Sequence, residues 1–192
     1  MAIVVIGGSR RGVGKTALVC GLIGALPEFR WTAVKITNHL HGRAEHLWEE
    51  VTAGNGSDTA RYLAAGAQRA LLATVSLDAP APQRDFALLL AGLKAKLEPG
   101  ANIILESNRV LEYLQPDLCL MVRAGADRTV EGPAKPSFSL AARRAQAVVE
   151  QAGADRMLRG GPESKPVFQL ADLERVSPEM RTWLLLKLAL LP

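Results

Sequence analysis

Near its amino terminus the chain reads Ile3-Val4-Val5-Ile6-Gly7-Gly8-Ser9-Arg10-Arg11-Gly12-Val13-Gly14-Lys15-Thr16. An apolar run of strand length stops at two glycines, and a Gly-x-Gly-Lys-Thr segment then leads into a pattern typical of a helix. Glycines let backbone N–H groups turn inward around phosphate oxygens, because no side chain blocks the approach. The order of strand, glycine-rich loop and helix therefore predicts a phosphate-binding loop, and with it a nucleotide site.

The residues expected to bind the nucleotide run from the glycine pair into the first turn of the helix. They are Gly8, Ser9, Arg10, Arg11, Gly12, Val13, Gly14, Lys15, Thr16 and Ala17. Lys15 supplies a positive charge for the outer phosphates, and the Thr16 hydroxyl is a ligand for Mg²⁺. The Walker A pattern has a first glycine where this chain has Ser9. We expect the glycine pair just before it to supply the flexibility instead.

The same stretch also resembles a twin-arginine export signal, with residues 17–26 as its apolar segment. Such a signal normally follows a polar leader, whereas Arg10 and Arg11 follow an apolar run of strand length. We therefore favour the phosphate loop. On that loop the two arginines either neutralise phosphate charge, or one of them reaches across a dimer to the partner's nucleotide as a trans-acting arginine does.

The composition indicates one soluble domain that spans residues 1–192. The chain is 48% hydrophobic and 22% charged, which is sufficient for one well-buried core. A net charge of +4 and an aromatic content of 5% argue against a nucleic-acid-binding surface. No apolar run reaches the ~18 residues that a membrane span needs. Cys20 and Cys119 lie in apolar segments and are predicted to be core residues, so we expect a cytoplasmic protein.

Short apolar runs alternate with helical patterns along the chain, which is typical of a parallel sheet covered on both faces. The predicted strands are Ala2–Ile6, Trp31–Ile36, Arg69–Val75, Asn102–Glu106, Leu118–Val122 and Val167–Leu170, with Met157–Arg159 as a further candidate. The predicted helices are Lys15–Leu26, Asp58–Ala65, Arg84–Leu97, Asn108–Leu114, Phe138–Gln151 and Pro178–Leu190. We therefore expect a three-layer α/β fold with a mostly parallel sheet, of the P-loop NTPase (SIMIBI-like) type.

Two irregular segments are predicted to be loops, and long loops at strand ends often carry ligand contacts in this architecture. The first, Thr37–Gly56, holds the candidate metal ligands His39, His41, His46, Glu45, Glu49 and Glu50. Their spacing matches no standard zinc site, so a solvated surface is favoured. The second, Arg123–Ser137, places Arg123, Asp127 and Lys135 as candidates near the base.

Three charged residues at the ends of other elements extend the predicted site. Glu106 ends a strand where P-loop proteins carry an acid that holds Mg²⁺, although a solvated glutamate is the alternative. Lys35 ends the second strand and either meets a γ-phosphate or substrate anion or extends into solvent. Asp58 begins a helix as a first-turn acid, or acts on Mg²⁺ or an attacking water. With Lys15 these are the candidate catalytic residues, and Thr16 and Glu106 are the candidate metal ligands.

Four segments together resemble one family. They are the first strand with Gly12-x-Gly14-Lys15-Thr16, Val34-Lys35 running into His39, Gly56-Ser57-Asp58-Thr59-Ala60-Arg61 through Ala65-Gly66-Ala67, and Glu106 after an apolar strand. They are similar to the molybdopterin-guanine dinucleotide biosynthesis accessory protein B family (MobB-like), which are GTP-binding P-loop proteins. The resemblance implies GTP phosphates on the loop, Mg²⁺ near Thr16 and Glu106, and a homodimer with weak GTPase activity. It also implies assistance to a molybdenum-cofactor nucleotidyltransferase partner.

Two other functions stay open on the sequence. A dethiobiotin-synthetase-like ATP-dependent ligase has a similar loop, Gly-Thr-x-x-Gly-Val-Gly-Lys-Thr, and a second strand that also ends in lysine. A nucleotide-gated binding protein with negligible turnover is favoured by the lack of an obvious general base other than Asp58 and Glu106. The chain has no Asn-Lys-x-Asp guanine motif, so the choice of GTP over ATP rests on the resemblance.

Overall fold

A computed structural model describes residues 1–38, 47–75, 82–123, 136–151 and 165–190 of the chain. Strands and helices alternate through most of these ranges. The strands are β1 (Ile3–Gly8), β2 (Thr32–Thr37), β3 (Leu47–Glu50), β4 (Arg69–Thr74), β5 (Ile103–Glu106), β6 (Leu118–Arg123), β7 (Ala147–Gln151) and β8 (Val167–Leu170). The helices are α1 (Lys15–Ala25), α2 (Asp58–Ala64), α3 (Pro82–Lys96), α4 (Pro136–Arg144) and α5 (Pro178–Ala189), with short 3₁₀ helices at Pro27–Phe29 and Arg109–Glu112.

The strands form one eight-stranded sheet in the order β3-β4-β2-β5-β1-β6-β7-β8. All neighbouring strands are parallel except β3, which runs antiparallel to β4 at the edge. β1 lies between β5 and β6, with Ile6 opposite Glu106 and Gly8 opposite Val122. The predicted mostly parallel α/β sheet is therefore confirmed. Because the strands are parallel, the carboxyl ends of β1, β2 and β5 meet at the same edge.

Helices cover both faces of this sheet and make the fold three-layered. On β1, Val4 and Ile6 pack toward the face covered by α1, α2 and α5, while Val5 packs toward α3 and α4. This alternation follows the two-residue period of a strand. Cys20 and Cys119 are free and buried, one on each face, as the sequence predicted.

None of the helices in the described part of the chain has the length and hydrophobicity that crossing a bilayer demands.

One predicted helix is wrong over its second half. The sequence predicted a helix over Phe138–Gln151, but α4 ends at Arg144 and β7 begins after two further residues, at Ala147. Gln146 causes the change, because its backbone N–H bonds the Cys119 carbonyl (2.8 Å) and its side-chain oxygen accepts the Cys119 N–H (2.6 Å). The β-branched pair Val148-Val149 then continues as a strand beside β6. No glycine or proline separates the two elements, which is why the boundary was missed.

Two smaller differences concern connections. The predicted loop Thr37–Gly56 contains β3, and the predicted helix Asn108–Leu114 is only the 3₁₀ helix Arg109–Glu112. The Ser107 hydroxyl begins that short helix by accepting the N–H groups of the two residues that follow Asn108, each at 3.2 Å. The other predicted boundaries of strands and helices agree with the observed ones to within about two residues. The candidate strand Met157–Arg159 lies outside the described residues.

Candidate functional site

The loop between β1 and α1 has the backbone that its glycines predict. Gly12 has φ +73° and Gly14, the N-cap of α1, has φ +101°, a region that L side chains rarely adopt. Gly8 instead provides space, since a Cβ atom there would lie 2.6 Å from Val13 Cγ1. The glycine pair at the end of β1, which we expected to supply flexibility, permits close packing, and the left-handed backbone of the loop is at Gly12 and Gly14.

The segment between β8 and α5 packs against this loop and helix. A Cβ atom on Gly14 would lie 2.3 Å from Leu173 Cδ1, and one on Gly21 would lie 2.5 Å from the Leu173 carbonyl oxygen. Leu173 is buried, at 3% exposure. A segment distant in sequence thus fixes the position of the loop and of the first turns of α1.

Lys15 and Thr16 begin α1 and point into the site. Lys15 Nζ donates to the Arg10 carbonyl oxygen at 3.4 Å, so the side chain bends back over the loop. Burial lowers the pKa of Lys15, and the Glu106 carboxylate partly opposes that effect. The Thr16 hydroxyl donates to Glu106 Oε2 at 2.7 Å across the end of β5.

Glu106 is the centre of a buried polar network. The residue is 4% exposed, so it is not the solvated strand-end glutamate that was the alternative. Its Oε2 accepts hydrogen bonds from Thr16 (2.7 Å) and from the Tyr62 hydroxyl, and its Oε1 accepts one from Lys35 Nζ at 2.8 Å. Three donors compensate the cost of burying this carboxylate.

Lys35 lies between two carboxylates and does not extend into solvent. Its ammonium forms ion pairs with Glu106 and Asp58, and Nζ lies 3.5 Å from Thr16 Oγ1. Burial alone would lower the pKa of Lys35, but the two carboxylates outweigh burial and raise that pKa above its ordinary value. The structure therefore brings Lys15, Thr16, Lys35, Asp58 and Glu106 together from separate elements.

Asn108, whose role no local pattern indicated, pairs with the end of β1 through its side chain. β5 stops before it reaches the level of Gly8, so the Gly8 backbone has no strand partner on that side. Asn108 Oδ1 accepts the Gly8 N–H at 2.7 Å, and its Nδ2 donates to the Gly8 carbonyl at 2.8 Å. The side-chain amide thus replaces a peptide group and holds the start of the loop.

Two residues near α2 were also missed or misjudged. Tyr62, which is fully buried, lies one helical turn after Asp58 and donates to Glu106; that four-residue spacing was the available signal. Burial and then the Glu106 charge hold the pKa of Tyr62 well above its ordinary value. Glu50, expected on a solvated surface or among metal ligands, accepts hydrogen bonds from Ser57 (3.0 Å) and Thr59 (3.2 Å) and so fixes the start of α2.

These groups line a cleft of about 940 Å³ at the carboxyl edge of the sheet. Of the predicted binding residues, all but Val13 line it: Gly8, Ser9, Arg10, Arg11, Gly12, Gly14, Lys15, Thr16 and Ala17. Val13 is buried in the core. Two other predicted residues are engaged elsewhere: Arg123 with Glu150, and Glu49 with Arg69.

Several predicted residues lie outside the described ranges: His39, His41, His46, Glu45, Asp127 and Lys135. Within those ranges, no group of three or more His, Cys, Asp or Glu side chains is arranged to hold a metal ion.

A solved structure shares this architecture. The "apo" form of LpxK from Aquifex aeolicus, determined in complex with ATP, superposes with a TM-score of 0.52 at 19% sequence identity. The fold is that of a P-loop NTPase. The match covers 88% of this chain and 53% of LpxK, so the chain spans about half the length of that protein. At this identity the similarity establishes the fold alone. No protein-family model matches the chain, and no curated protein matches it in sequence.

Proposed function

We propose that this chain binds a nucleoside triphosphate together with Mg²⁺ and hydrolyses it slowly. One observation carries the proposal. The first turn of α1, reached through left-handed Gly12 and Gly14, presents Thr16 to a buried strand-end carboxylate, Glu106, at 2.7 Å. Glycine-rich loop, lysine, hydroxyl and acid are the parts that phosphate binding with Mg²⁺ requires. The similarity to a protein determined with bound ATP supports the same reading.

The loop and the start of α1 are suited to an anion. Backbone N–H groups at a helix N-terminus carry partial positive charge, and the first turn of α1 contains no acidic residue. Lys15 adds a full charge beside them. Arg10 and Arg11 are exposed on the same loop and line the cleft, where they meet phosphates or a partner subunit's nucleotide.

The residues present fit Mg²⁺. The Thr16 hydroxyl donates its hydrogen to Glu106 and accepts one long hydrogen bond from Lys35 Nζ (3.5 Å), so one oxygen lone pair stays available for a cation. The two oxygens are 2.7 Å apart, a normal hydrogen-bond distance, so the hydroxyl oxygen lies beside a carboxylate at the edge of the cleft. Thr16 and Glu106 would hold the ion, and phosphate oxygens would complete its shell. When bound, Mg²⁺ neutralises charge on the phosphates.

The side chains of this protein then have distinct roles. Lys15 contacts the outer phosphates. Lys35 is held charged by Glu106 and Asp58 and keeps a cation at the edge of the loop. In this arrangement Glu106 accepts three donors and Asp58 is ion-paired with Lys35, so both carboxylates are already engaged and neither is positioned as the general base for an attacking water. Slow hydrolysis follows, and that engagement also favours a nucleotide-gated binding protein as the second candidate function.

The finer assignment rests on the family resemblance. On that basis we propose that the nucleotide is GTP, that the chain works as a cytoplasmic homodimer, and that it assists a nucleotidyltransferase of molybdopterin-guanine dinucleotide synthesis. The matching segment at Gly56–Ala67 contributes Asp58 and Arg61 to the cleft lining. An ATP-dependent ligase resembling dethiobiotin synthetase is the enzyme alternative, supported by the position of Lys35 in the cleft. ATP-dependent carboxylation of a diamine tests that alternative directly.

Calorimetry tests the central proposal. We would titrate the protein with ATP, GTP and molybdopterin-guanine dinucleotide, each with and without Mg²⁺. Lys15→Ala is expected to weaken triphosphate binding by about 10- to 100-fold, since a hydrogen-bonded charge contact is lost. Lys94→Ala, an exposed position on α3, is the matched control and should bind normally. Full affinity in the Lys15→Ala protein would sink the proposal, and tighter binding of ATP than of GTP would overturn the base assignment.

A further inference from the structure

One ammonium group lies among the oxygens that fit Mg²⁺. Lys35 Nζ donates to Glu106 Oε1 at 2.8 Å and lies 3.5 Å from Thr16 Oγ1. The same ammonium forms an ion pair with Asp58. Glu106 and Thr16 are the two residues that would hold the metal ion. A positive charge of this chain and the metal ion therefore have the same oxygen partners.

The two carboxylates around this ammonium are held in place by their own elements. Glu106 is buried and lies directly opposite Lys35 in the register of β5 with β2. Asp58 stands in the first turn of α2, next to the N-cap Ser57, whose hydroxyl is itself hydrogen-bonded to Glu50 at 3.0 Å. The lysine, by contrast, carries its charge on a flexible four-carbon stem. The ammonium is thus the part of this group that can change partners.

Lys35 and a metal ion compete for these oxygens. A cation bound by the Thr16 oxygen and by Glu106 would share both partners with the ammonium, which already contacts them. Two positive groups on one carboxylate repel each other, and the repulsion is stronger at a partly buried site than in water. The lysine therefore opposes binding of the metal ion for as long as its ammonium stays on Glu106.

A triphosphate on the loop offers the ammonium a different partner. Thr16 is the second residue of α1, whose first turn forms part of the proposed phosphate site, and Lys35 lines the same cleft as that turn. An ammonium has three donors, so it can exchange a carboxylate oxygen for a phosphate oxygen without losing its proton. The phosphates also bring negative charge to both cations at once. Nucleotide binding would therefore relieve the competition between Lys35 and the metal ion.

We infer that Lys35 makes Mg²⁺ binding conditional on the triphosphate: its ammonium keeps Glu106 and Asp58 engaged against the metal ion alone, and turns to a phosphate oxygen when nucleotide binds. The inference rests on the proposed nucleotide function and adds an order to it, in which the metal ion enters with the nucleotide or after it. Lys35 is a positioning residue here, since it acts on the metal ion through Glu106. Because coupling between two ligands is reciprocal, Lys35 also makes triphosphate binding more dependent on the metal ion.

The first test measures how tightly the full chain binds Mn²⁺, a paramagnetic substitute for Mg²⁺, from the loss of the EPR signal of the free ion. Without nucleotide, Lys35→Met should bind Mn²⁺ about tenfold or more tightly than the wild type, because the ion no longer competes with an ammonium. Lys35→Gln keeps a hydrogen-bond donor for Glu106 and should show the same gain even if the methionine variant does not fold. Lys94→Met removes the same charge from an exposed position on α3 and should bind Mn²⁺ as the wild type does.

A double variant locates the gain. Adding Glu106→Gln to Lys35→Gln should abolish the tighter Mn²⁺ binding, because the amide is a much weaker ligand for a divalent cation than the carboxylate. A gain that survives in the double variant would place the ion elsewhere and overturn the inference.

The second test uses AMP-PNP, a triphosphate analogue that resists hydrolysis, in calorimetry with and without Mg²⁺. The factor by which Mg²⁺ strengthens AMP-PNP binding should be about tenfold smaller in the Lys35 variants than in the wild type. Comparing the proteins cancels the affinity of the metal ion for the analogue in solution. Equal Mn²⁺ affinity, or an unchanged Mg²⁺ factor, in the Lys35 variants would overturn the inference alone, provided that the wild type binds AMP-PNP. Absence of AMP-PNP binding to the wild type would overturn both proposals.

Discussion

Replacing Tyr62 by phenylalanine removes one hydroxyl from the buried network around Glu106. That hydroxyl is fully buried and is one of three donors to the carboxylate. A hydrogen bond to a charged group contributes about 1.5–3 kcal/mol. Because Thr16 and Lys35 still donate to Glu106, we expect the free energy of unfolding to fall by about 2 kcal/mol. For a chain of this length the melting temperature should fall by about 4–8 °C.

Urea denaturation followed by circular dichroism measures this effect. Tyr113→Phe is the matched control, because the Tyr113 hydroxyl has no hydrogen-bond partner among the described residues, and its stability should change by less than about 0.5 kcal/mol. Tyr62 does not line the cleft, so nucleotide affinity should change little. A Tyr62→Phe protein as stable as the wild type, or an equal loss in Tyr113→Phe, would refute the view that Glu106 depends on its buried donors.

Three further outcomes are expected. Gly24→Ala should raise the free energy of unfolding by about 0.5–1 kcal/mol, because a Cβ atom there meets nothing closer than 3.9 Å. Gly21→Ala should lower that free energy by about 1–3 kcal/mol, because its Cβ atom would clash with the Leu173 backbone. Urea titrations of both variants show whether each change stabilises or destabilises the protein. Asn108→Leu leaves the end of β1 with an unpaired N–H and carbonyl, and should weaken both stability and triphosphate affinity in calorimetry. Burial raises the pKa of Cys20 to about 11 and of Cys119 to about 12, so a thiol reagent at about pH 8 should label neither until urea is added; rapid labelling of the folded protein would contradict this.

The conformation of the glycine-rich loop and the gathering of charged residues around it were predictable from local sequence. Lys35 and Glu106 each end an apolar run, and parallel strands bring such ends to one edge of a sheet. The glycines at positions 12 and 14 indicated the left-handed backbone that the loop adopts at these two residues. In these cases the signal and the structural cause lie within a few residues of each other.

The remaining features depend on contacts between distant segments, which local patterns do not contain. α4 ends where Gln146 forms hydrogen bonds with Cys119. Asn108 supports the loop because β5 ends before it can pair with Gly8. Tyr62 has no distinguishing sequence pattern, and only the packing of α2 brings its hydroxyl to Glu106 at the end of β5. Spacing gives no information about such partners, since each is 27 to 100 residues away along the chain.

The packing of Leu173 on Gly14 and Gly21 has a consequence for synthesis on the ribosome. The loop after β1 is completed by Leu173, which lies far downstream in the chain, and β1 itself pairs with strands about 100 residues downstream. A nascent chain that stops before Leu173 should therefore lack the packing that fixes the loop after β1, even if its first hundred residues have become compact. The packing of this loop would therefore be completed only after the segment between β8 and α5 has been synthesised.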